Sequence, residues 1–186
     1  MRVISGMRKG HRLCSPKGMD VRPTEDKVKE SLFNILGKIK TDSLVLDLFA
    51  GSGSIGIEFL SRGAGKCYFI DVSPRSISAI KENLSHTRLA ESATVIKTNA
   101  LRAIRDFSKS GIEFDYIYVD PPFGYGDLLD KVFKNLNDHP ILKDEGLLIV
   151  EHESQRILDE EIFEFKRTDS RRYGSKTITF FKRFRR

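Results

Sequence analysis

From Leu44 onward the chain alternates between strand-like and helix-like segments, and this alternation limits the folds open to it. Apolar, β-branched runs predict strands at 44–49, 66–70, 94–97, 114–119 and 147–150. Segments with helical spacing lie between them, at 54–62, 74–85, 100–108 and 126–136. Such alternation predicts a parallel sheet with helices on both faces. The last segments, 161–167 and 177–182, have no helix between them and predict a terminal antiparallel hairpin.

Two elements precede the first strand. Residues 2–5 and 11–14 are short β-compatible stretches around a basic, glycine-flanked turn, which predicts a basic hairpin. Thr24 has the side chain of an N-cap. After it, Val28, Leu32 and Ile35 recur at helical spacing, and Gly37 closes the helix.

A glycine-rich turn follows the first predicted strand. Gly51, Gly53 and Gly56 match the G-x-G-x-x-G spacing of dinucleotide-binding turns. Asp71 ends the second strand, twenty residues after Gly51, where an acid binds a ribose diol. Asp47 would point a carboxylate into the same crevice, which disfavours a pyrophosphate. The acid suits a cofactor with an ammonium group, such as S-adenosylmethionine; the alternative is an acid that only caps the turn.

A second motif, Asp120-Pro121-Pro122-Phe123, ends the fourth predicted strand. The prolines make the turn rigid, the carboxylate and carbonyls can accept from an NH₂ group, and the ring can stack on a base. Ligands bind at the carboxyl edge of such a sheet, where both motifs would meet. Asn99 ends the third strand, where its amide could pair with the adenine edge, although Asn there commonly belongs to a turn.

Basic residues concentrate at the two ends of the chain. Residues 1–40 hold ten Lys and Arg against four Asp and Glu, and residues 166–186 hold nine against one. This asymmetry favours nucleic acid as a partner. No apolar run reaches the length of a membrane span, and two cysteines without a CxxC pattern indicate a reduced, cytoplasmic protein. The four histidines lack metal-ligand spacing, so no metal is predicted, and nothing demands more than a monomer.

Several segments resemble bacterial 16S rRNA (guanine-N2) methyltransferases of the RsmD type. Residues 22–36 resemble the family's signature helix, and residues 1–6 and 9–13 are similar to its N-terminal hairpin. Residues 47–53 are similar to its cofactor motif and residues 120–123 to its catalytic motif. Residues 171–174 resemble its C-terminal turn. The resemblance implies a class I S-adenosylmethionine-dependent methyltransferase fold. This is a Rossmann-like α/β fold with a seven-stranded, mostly parallel sheet and an antiparallel last strand. We expect a single domain over 1–186, with a hairpin extension at 1–21 and a catalytic core at 22–186.

The resemblance also implies transfer of a methyl group from S-adenosylmethionine to the N2 amine of one guanine in 16S rRNA, within a partly assembled small subunit. The residues expected to be catalytic are Asp120, Pro121, Pro122 and Phe123. Those expected to bind the cofactor are Arg22, Thr24, Asp47, Phe49, Gly51, Gly53, Asp71, Val72, Asn99 and Ala100. Those expected to bind RNA are Arg2, Arg8, Lys9, Arg12, Arg171 and Arg172. Asn99 departs from the acid expected at that place in relatives.

The residues leave other interpretations open. The same acid-Pro-Pro-aromatic loop would serve a DNA adenine-N6 methyltransferase, although sequence-specific recognition would usually need a further domain. It would also serve a protein glutamine methyltransferase, which leaves the basic ends without a purpose. The glycine spacing suits an NAD-dependent dehydrogenase, which leaves the proline loop unexplained. Outside enzymes, the alternative is a non-catalytic RNA-binding module, against which the intact Asp47, Asp71 and Asp120 argue.

Overall fold

The computed structural model describes residues 1–16, 24–122 and 127–184, without the side chains of residues 24 and 25. The chain divides into two compact units, Met1–Thr98 and Asn99–Arg186. After the N-terminal hairpin, the first unit contains α1 (Thr24–Leu36), β1 (Leu44–Asp47), α2 (Ser54–Ser61), β2 (Lys66–Asp71), α3 (Pro74–Thr87) and β3 (Ala93–Lys97). The second contains α4 (Ala100–Lys109), β4 (Phe114–Val119), α5 (Leu128–Asp138), β5 (Leu142–Glu153), β6 (Glu161–Ile162), β7 (Phe165–Tyr173) and β8 (Lys176–Arg183).

Three parallel strands form the sheet of the first unit, in the order β3-β2-β1. The register places Asp47 beside Phe69 on β2 and Asp71 beside Lys97 on β3. Val45 and Leu46 on β1 are both fully buried, which is why the strand forms a continuous apolar run rather than an alternating one. The register therefore sets both acids at the carboxyl ends of adjacent strands.

Helix α1 buries a slightly different face from the one predicted. Val28 and Leu32 are buried as expected, but Phe33 lies in the core and Ile35 is 39% exposed. The helix ends at Gly37, whose φ is 64° and whose N–H donates to the Phe33 carbonyl at 3.1 Å. The predicted N-cap side chain of Thr24 lies outside the described part of the chain.

The second unit combines parallel and antiparallel strands. β4 pairs in parallel with β5, and β5 pairs antiparallel with β8. β8 then pairs antiparallel with β7, and β7 with β6. The predicted terminal hairpin is therefore present, with Gly174 at its turn in a left-handed conformation (φ 63°) that suits glycine.

Phenylalanine rings occupy the interior of each unit. In the first, Phe33 and Phe59 meet edge to face with ring centroids 4.8 Å apart. In the second, Phe133 of α5 meets Phe165 at 5.9 Å and Phe181 at 5.2 Å. All five rings are at most 1% exposed, so these contacts anchor α1 to α2 in the first unit and α5 to β7 and β8 in the second.

The structure confirms the α/β fold, with parallel strands followed by antiparallel C-terminal strands. The described residues form eight strands, and the one beyond the expected seven is β6. The single strand predicted over 161–167 is divided between β6 and the start of β7, because Phe163 between them adopts a left-handed conformation (φ 53°) that ends the first strand. None of the helices in the described ranges is long and apolar enough to cross a membrane.

Candidate functional site

The glycine-rich turn lies between β1 and α2. Its tight bend is closed by the Gly53 N–H, which donates to the Ala50 carbonyl at 2.6 Å. Gly53 has a φ of 78°, and a Cβ there would lie 3.3 Å from the side chains of Phe69 and Ile80. Gly56, in the first turn of α2, leaves even less room, because a Cβ would lie 2.3 Å from the Phe69 ring. Helix α2 can therefore pack directly on β2 only with glycine here.

Asp71 fixes the turn from the end of β2. One carboxylate oxygen, Oδ2, accepts from the Gly51 N–H at 2.9 Å, and the other accepts from the Ser73 N–H at 2.8 Å. Each oxygen accepts one backbone N–H and keeps capacity for a further donor. The acid twenty residues after the first glycine thus contacts the glycine turn itself.

Asp47 is buried beneath the same turn. Its carboxylate is 2% exposed and accepts from the Gly56 N–H at 3.2 Å. Gly53, the N-cap of α2, has no side chain to cap the helix, so Asp47 supplies this bond from β1. Burial raises the pKa of Asp47 from 3.8 to about 7, although the Gly56 bond lowers it; the charge of Asp71 raises it further. The geometry is that of a capping acid, and the ammonium role stays a prediction.

The remaining residues predicted for the cofactor lie at strand ends or outside the described ranges. Phe49 is half-buried after β1, and Val72 is 61% exposed after β2. In the second unit, Asn99 is the N-cap of α4, and its Oδ1 accepts from the Arg102 N–H at 2.8 Å. Ala100, the first residue of that helix, is buried. Arg22 and the Thr24 side chain are among the residues that the structure leaves undescribed.

The acid-Pro-Pro motif follows β4 directly. Ile117, Tyr118 and Val119 are buried, whereas Asp120 and Pro121 are half-buried and Pro122 is exposed. The strand thus passes from core to surface within two residues at the predicted catalytic acid. Phe123 lies outside the described residues.

The N-terminal hairpin carries four of the predicted RNA-binding cations. Arg2 and Arg12 form an antiparallel bridge, and the Val3 N–H donates to the His11 carbonyl at 2.9 Å. Arg2, Lys9 and Arg12 are exposed, and Arg8 is half-buried. The hairpin therefore presents an exposed basic edge, as predicted.

Helix α2 holds this hairpin through buried polar contacts that the sequence analysis missed. The Glu58 carboxylate is fully buried and accepts from the backbone N–H groups of Ile4 (2.8 Å) and Ser5 (3.0 Å). The Ser61 carbonyl accepts from the Met7 N–H at 2.7 Å, and the Ser61 hydroxyl accepts from the Arg8 N–H at 3.0 Å. A Glu and a Ser at positions i and i+3 of an otherwise apolar helix were the available signal.

Two cations balance the buried Glu58. Arg62 donates to it through Nε at 2.8 Å, and the Lys29 ammonium lies 3.6 Å away. Lys29 is 3% exposed and also donates to the Arg2 carbonyl (2.6 Å) and to Ser54 Oγ (2.8 Å). Burial lowers the pKa of Lys29, and the neighbouring Glu58 raises it. One ammonium thus joins α1, the hairpin and the first residue of α2.

The C-terminal pair of predicted RNA-binding residues lies on β7 near its turn. Arg171 and Arg172 are both exposed. The Arg171 Nε donates to Asp169 Oδ2 at 3.0 Å, and the Arg172 Nε donates to the Gly174 carbonyl at 3.1 Å. Both guanidinium groups keep further donors for a polyanion.

Parallel strands, a glycine turn and an acid that closes on it define a Rossmann-like α/β domain of the methyltransferase class. The chain belongs to the family described as "Conserved hypothetical protein 95", whose model matches residues 1–182. The predicted membership of the RsmD-type family is thereby confirmed.

Named relatives agree with this assignment. The chain is 37% identical over 183 residues to "Putative rRNA methyltransferase YlbH" of Bacillus subtilis, covering 98% of this chain and 99% of that protein. It is 37% identical over 153 residues to "Ribosomal RNA small subunit methyltransferase D" of Escherichia coli, covering 82% of this chain and 75% of that one. Among solved structures, "Putative methyltransferase yhhF from Escherichia coli" superposes with a TM-score of 0.84 at 32% identity, covering 100% and 99% of the two chains.

Proposed function

We propose that this protein transfers the methyl group of S-adenosylmethionine to the exocyclic N2 amine of one guanine in 16S rRNA. The observation that carries the proposal is the acid-Pro-Pro sequence at the end of β4, in a chain whose relatives are named rRNA methyltransferases. Such a motif supplies a rigid set of acceptors for a planar amine.

Residues of the first unit fit this cofactor. Asp71 keeps acceptor capacity on both carboxylate oxygens, which suits a ribose diol beside the glycine turn. Asp47 suits an ammonium group, because a nearby cation would favour its charged form against the cost of burial. Val72, exposed after β2, offers an apolar surface to an adenine ring.

Residues of the second unit are assigned to the adenine ring and to the target base. Asn99 would meet the adenine edge through Nδ2 or the second lone pair of Oδ1, since one lone pair caps α4. Ala100 lies beside it at the start of that helix. Phe123 would stack on a guanine turned out of the RNA. Arg22 and Thr24 would close over the cofactor.

The chemical task of the protein is to orient a poor nucleophile. The lone pair of the guanine amine is delocalised into the ring, and S-adenosylmethionine supplies an electrophilic methyl group. The Asp120 carboxylate and the Pro121 carbonyl would accept hydrogen bonds from the two N–H groups of the guanine amine. These bonds would favour a pyramidal geometry at the amine nitrogen. Asp120 acts as an acceptor that positions the amine, because the methylated amine is acidic enough to lose its proton readily.

The basic edges would bind the RNA backbone. Arg2, Arg8, Lys9 and Arg12 would do so from the hairpin, and Arg171 and Arg172 from the second unit. Such contacts set affinity and salt dependence, whereas the target base is selected at the acid-Pro-Pro motif.

The first experiment measures transfer of labelled methyl from S-adenosylmethionine to 16S rRNA, supplied as naked transcript and as partly assembled small subunits from cells lacking the enzyme. Labelling of a single guanine at N2 supports the proposal, and the better substrate reveals whether an assembled particle is recognised. Labelling of DNA adenine or of a protein instead would refute it.

Variants locate the chemistry. Asp120→Ala and Asp120→Asn should lose methyl transfer by at least about a hundredfold and keep cofactor affinity within about twofold. Asp127→Asn, which removes an exposed carboxylate of the same unit, is the matched control and should keep full activity. Full activity in the Asp120 variants would exclude the proposed role.

A further inference from the structure

Asn83 is a buried polar residue on α3 that joins two segments distant in sequence. It is 2% exposed among the apolar residues of that helix. Its Nδ2 donates to the Ser52 carbonyl at 2.8 Å and to the Cys14 carbonyl at 2.9 Å, and its Oδ1 accepts from the Cys14 N–H at 2.8 Å. Both amide hydrogens are used, one towards the glycine turn and one towards the hairpin.

On the first side, Asn83 holds one end of a peptide in the glycine turn. The Ser52–Gly53 peptide is fixed at its N–H end by the Ala50 carbonyl, which accepts from the Gly53 N–H at 2.6 Å. The bond from Asn83 fixes the opposite end of the same peptide, because it holds the Ser52 carbonyl towards α3. The Ser52 hydroxyl also lies 3.5 Å from the sulfur of Met1, so the start of the hairpin contacts the same turn.

On the second side, Asn83 anchors the second strand of the hairpin. Cys14 exchanges two hydrogen bonds with this one side chain, in the manner of a strand pair. The neighbouring Leu13 N–H donates to the Met1 carbonyl at 3.0 Å, and Arg12 bridges Arg2. A continuous set of contacts therefore connects the exposed Arg2 and Arg12 to Cys14 and, through Asn83, to Ser52.

We propose that Asn83 is a positioning residue that couples RNA binding on the hairpin to cofactor binding at the glycine turn. The inference rests on the proposed function, since it requires both ligands. RNA that immobilises the hairpin fixes the turn in its cofactor-binding geometry, and by reciprocity the cofactor strengthens RNA binding.

The test measures the affinity of wild-type protein for S-adenosylhomocysteine, an unreactive stand-in for the cofactor, with and without the 16S rRNA substrate that accepts methyl in the experiment above. We expect the RNA to tighten binding at least about fivefold. Absence of any methyl-accepting RNA would defeat the proposed function, and this inference with it. Binding of both ligands without mutual effect would overturn the inference alone.

Asn83→Asp separates the two sides of the link. It keeps an acceptor for the Cys14 N–H and loses both donors, so the Ser52 carbonyl is released. We expect the affinity of the RNA-free protein for S-adenosylhomocysteine to fall about tenfold, and the increase of that affinity caused by RNA to fall below about twofold.

Thr87→Val is the matched control for this variant. Thr87 is also buried on α3, but its hydroxyl donates to backbone carbonyls of the same helix, those of Asn83 and Leu84. Thr87→Val should keep the wild-type increase of cofactor affinity on RNA binding. Loss of this increase in both variants would show that any destabilisation of α3 removes it, and would overturn the specific role of Asn83.

Hydrogen exchange in the wild-type protein tests the same coupling without any variant. Saturating RNA should slow exchange at the backbone amides of Gly51 and Gly53 at least about fivefold. Unchanged exchange at these amides, with RNA bound, would overturn the inference even if every Asn83 variant failed to fold.

Discussion

Replacing Asp47 by Asn should change the pH dependence of stability in a calculable way. The Asp47 carboxylate is buried and accepts a hydrogen bond from the Gly56 N–H. An Asn side chain can accept the same bond with its Oδ1 and never carries a charge. The substitution therefore removes the cost of burying a carboxylate while it keeps the cap of α2.

The size of the effect follows from the pKa of Asp47, which is about 7 in the folded protein against an ordinary 3.8. The folded state holds the proton more tightly than the unfolded state, so the stabilising contribution is fully present below pH 3.8 and is lost as the pH rises through 7. About three pKa units correspond to about 4 kcal/mol in total. Roughly 2.5 kcal/mol of this is lost between pH 5 and pH 8.5.

Denaturant unfolding of both proteins at pH 5 and pH 8.5, without cofactor, measures the effect. The free energy of unfolding of Asp47→Asn minus that of wild type should increase by roughly 2.5 kcal/mol from pH 5 to pH 8.5, because only the wild type loses stability over this range. Asp42→Asn, the same change at an exposed position of the first unit, should follow the wild-type pH dependence. A difference between Asp47→Asn and wild type that stays constant with pH would refute the reasoning.

Two further perturbations test the attachment and the charge of the hairpin. Glu58→Gln should lower the free energy of unfolding by about 3 kcal/mol in denaturant titrations, because Lys29 and Arg62 lose their buried counter-charge; a loss below about 1 kcal/mol would contradict this. Lys9→Ala should weaken binding to rRNA and reduce the slope of log affinity against log salt by about 0.7, whereas an unchanged slope would remove Lys9 from the RNA interface.

The sequence predicted strand positions well where the local pattern of apolar residues alone determines the strand. The alternation of apolar runs located β1 to β4 and β8 to within a few residues. It misplaced β5, which extends over Leu142–Glu153, and β7, which was predicted within 161–167 and lies at Phe165–Tyr173, where charged residues obscure the pattern. In β5, the charged residues Lys143 and Glu145 hid the early part of the strand, which pairs with β4 at Leu142 and again from Leu147, on either side of them. The sequence analysis also placed Asp71 at the end of β2, but its hydrogen bond with the Gly51 N–H was not predicted.

The sequence could not decide between two possible roles of the same polar side chain. Asn99 has a side chain suited both to capping α4 and to pairing with adenine, and the structure shows the cap. Asn83 and Glu58 interrupt apolar helix faces, but their partners Cys14, Ser52 and Ile4 lie 31 to 69 residues away in sequence. Such contacts depend on tertiary structure, and helical periodicity carries no information about them.

The attachment of the hairpin to α2 has a consequence for how the chain acquires its structure during synthesis. The hairpin leaves the ribosome before α2, because its partners Glu58 and Ser61 follow 54 and 53 residues after Ile4 and Arg8. Two short strands alone are at best marginally stable in water. The basic edge of the hairpin therefore becomes ordered only after α2 has formed, so a nascent chain on its ribosome presents no folded basic edge there until α2 has emerged.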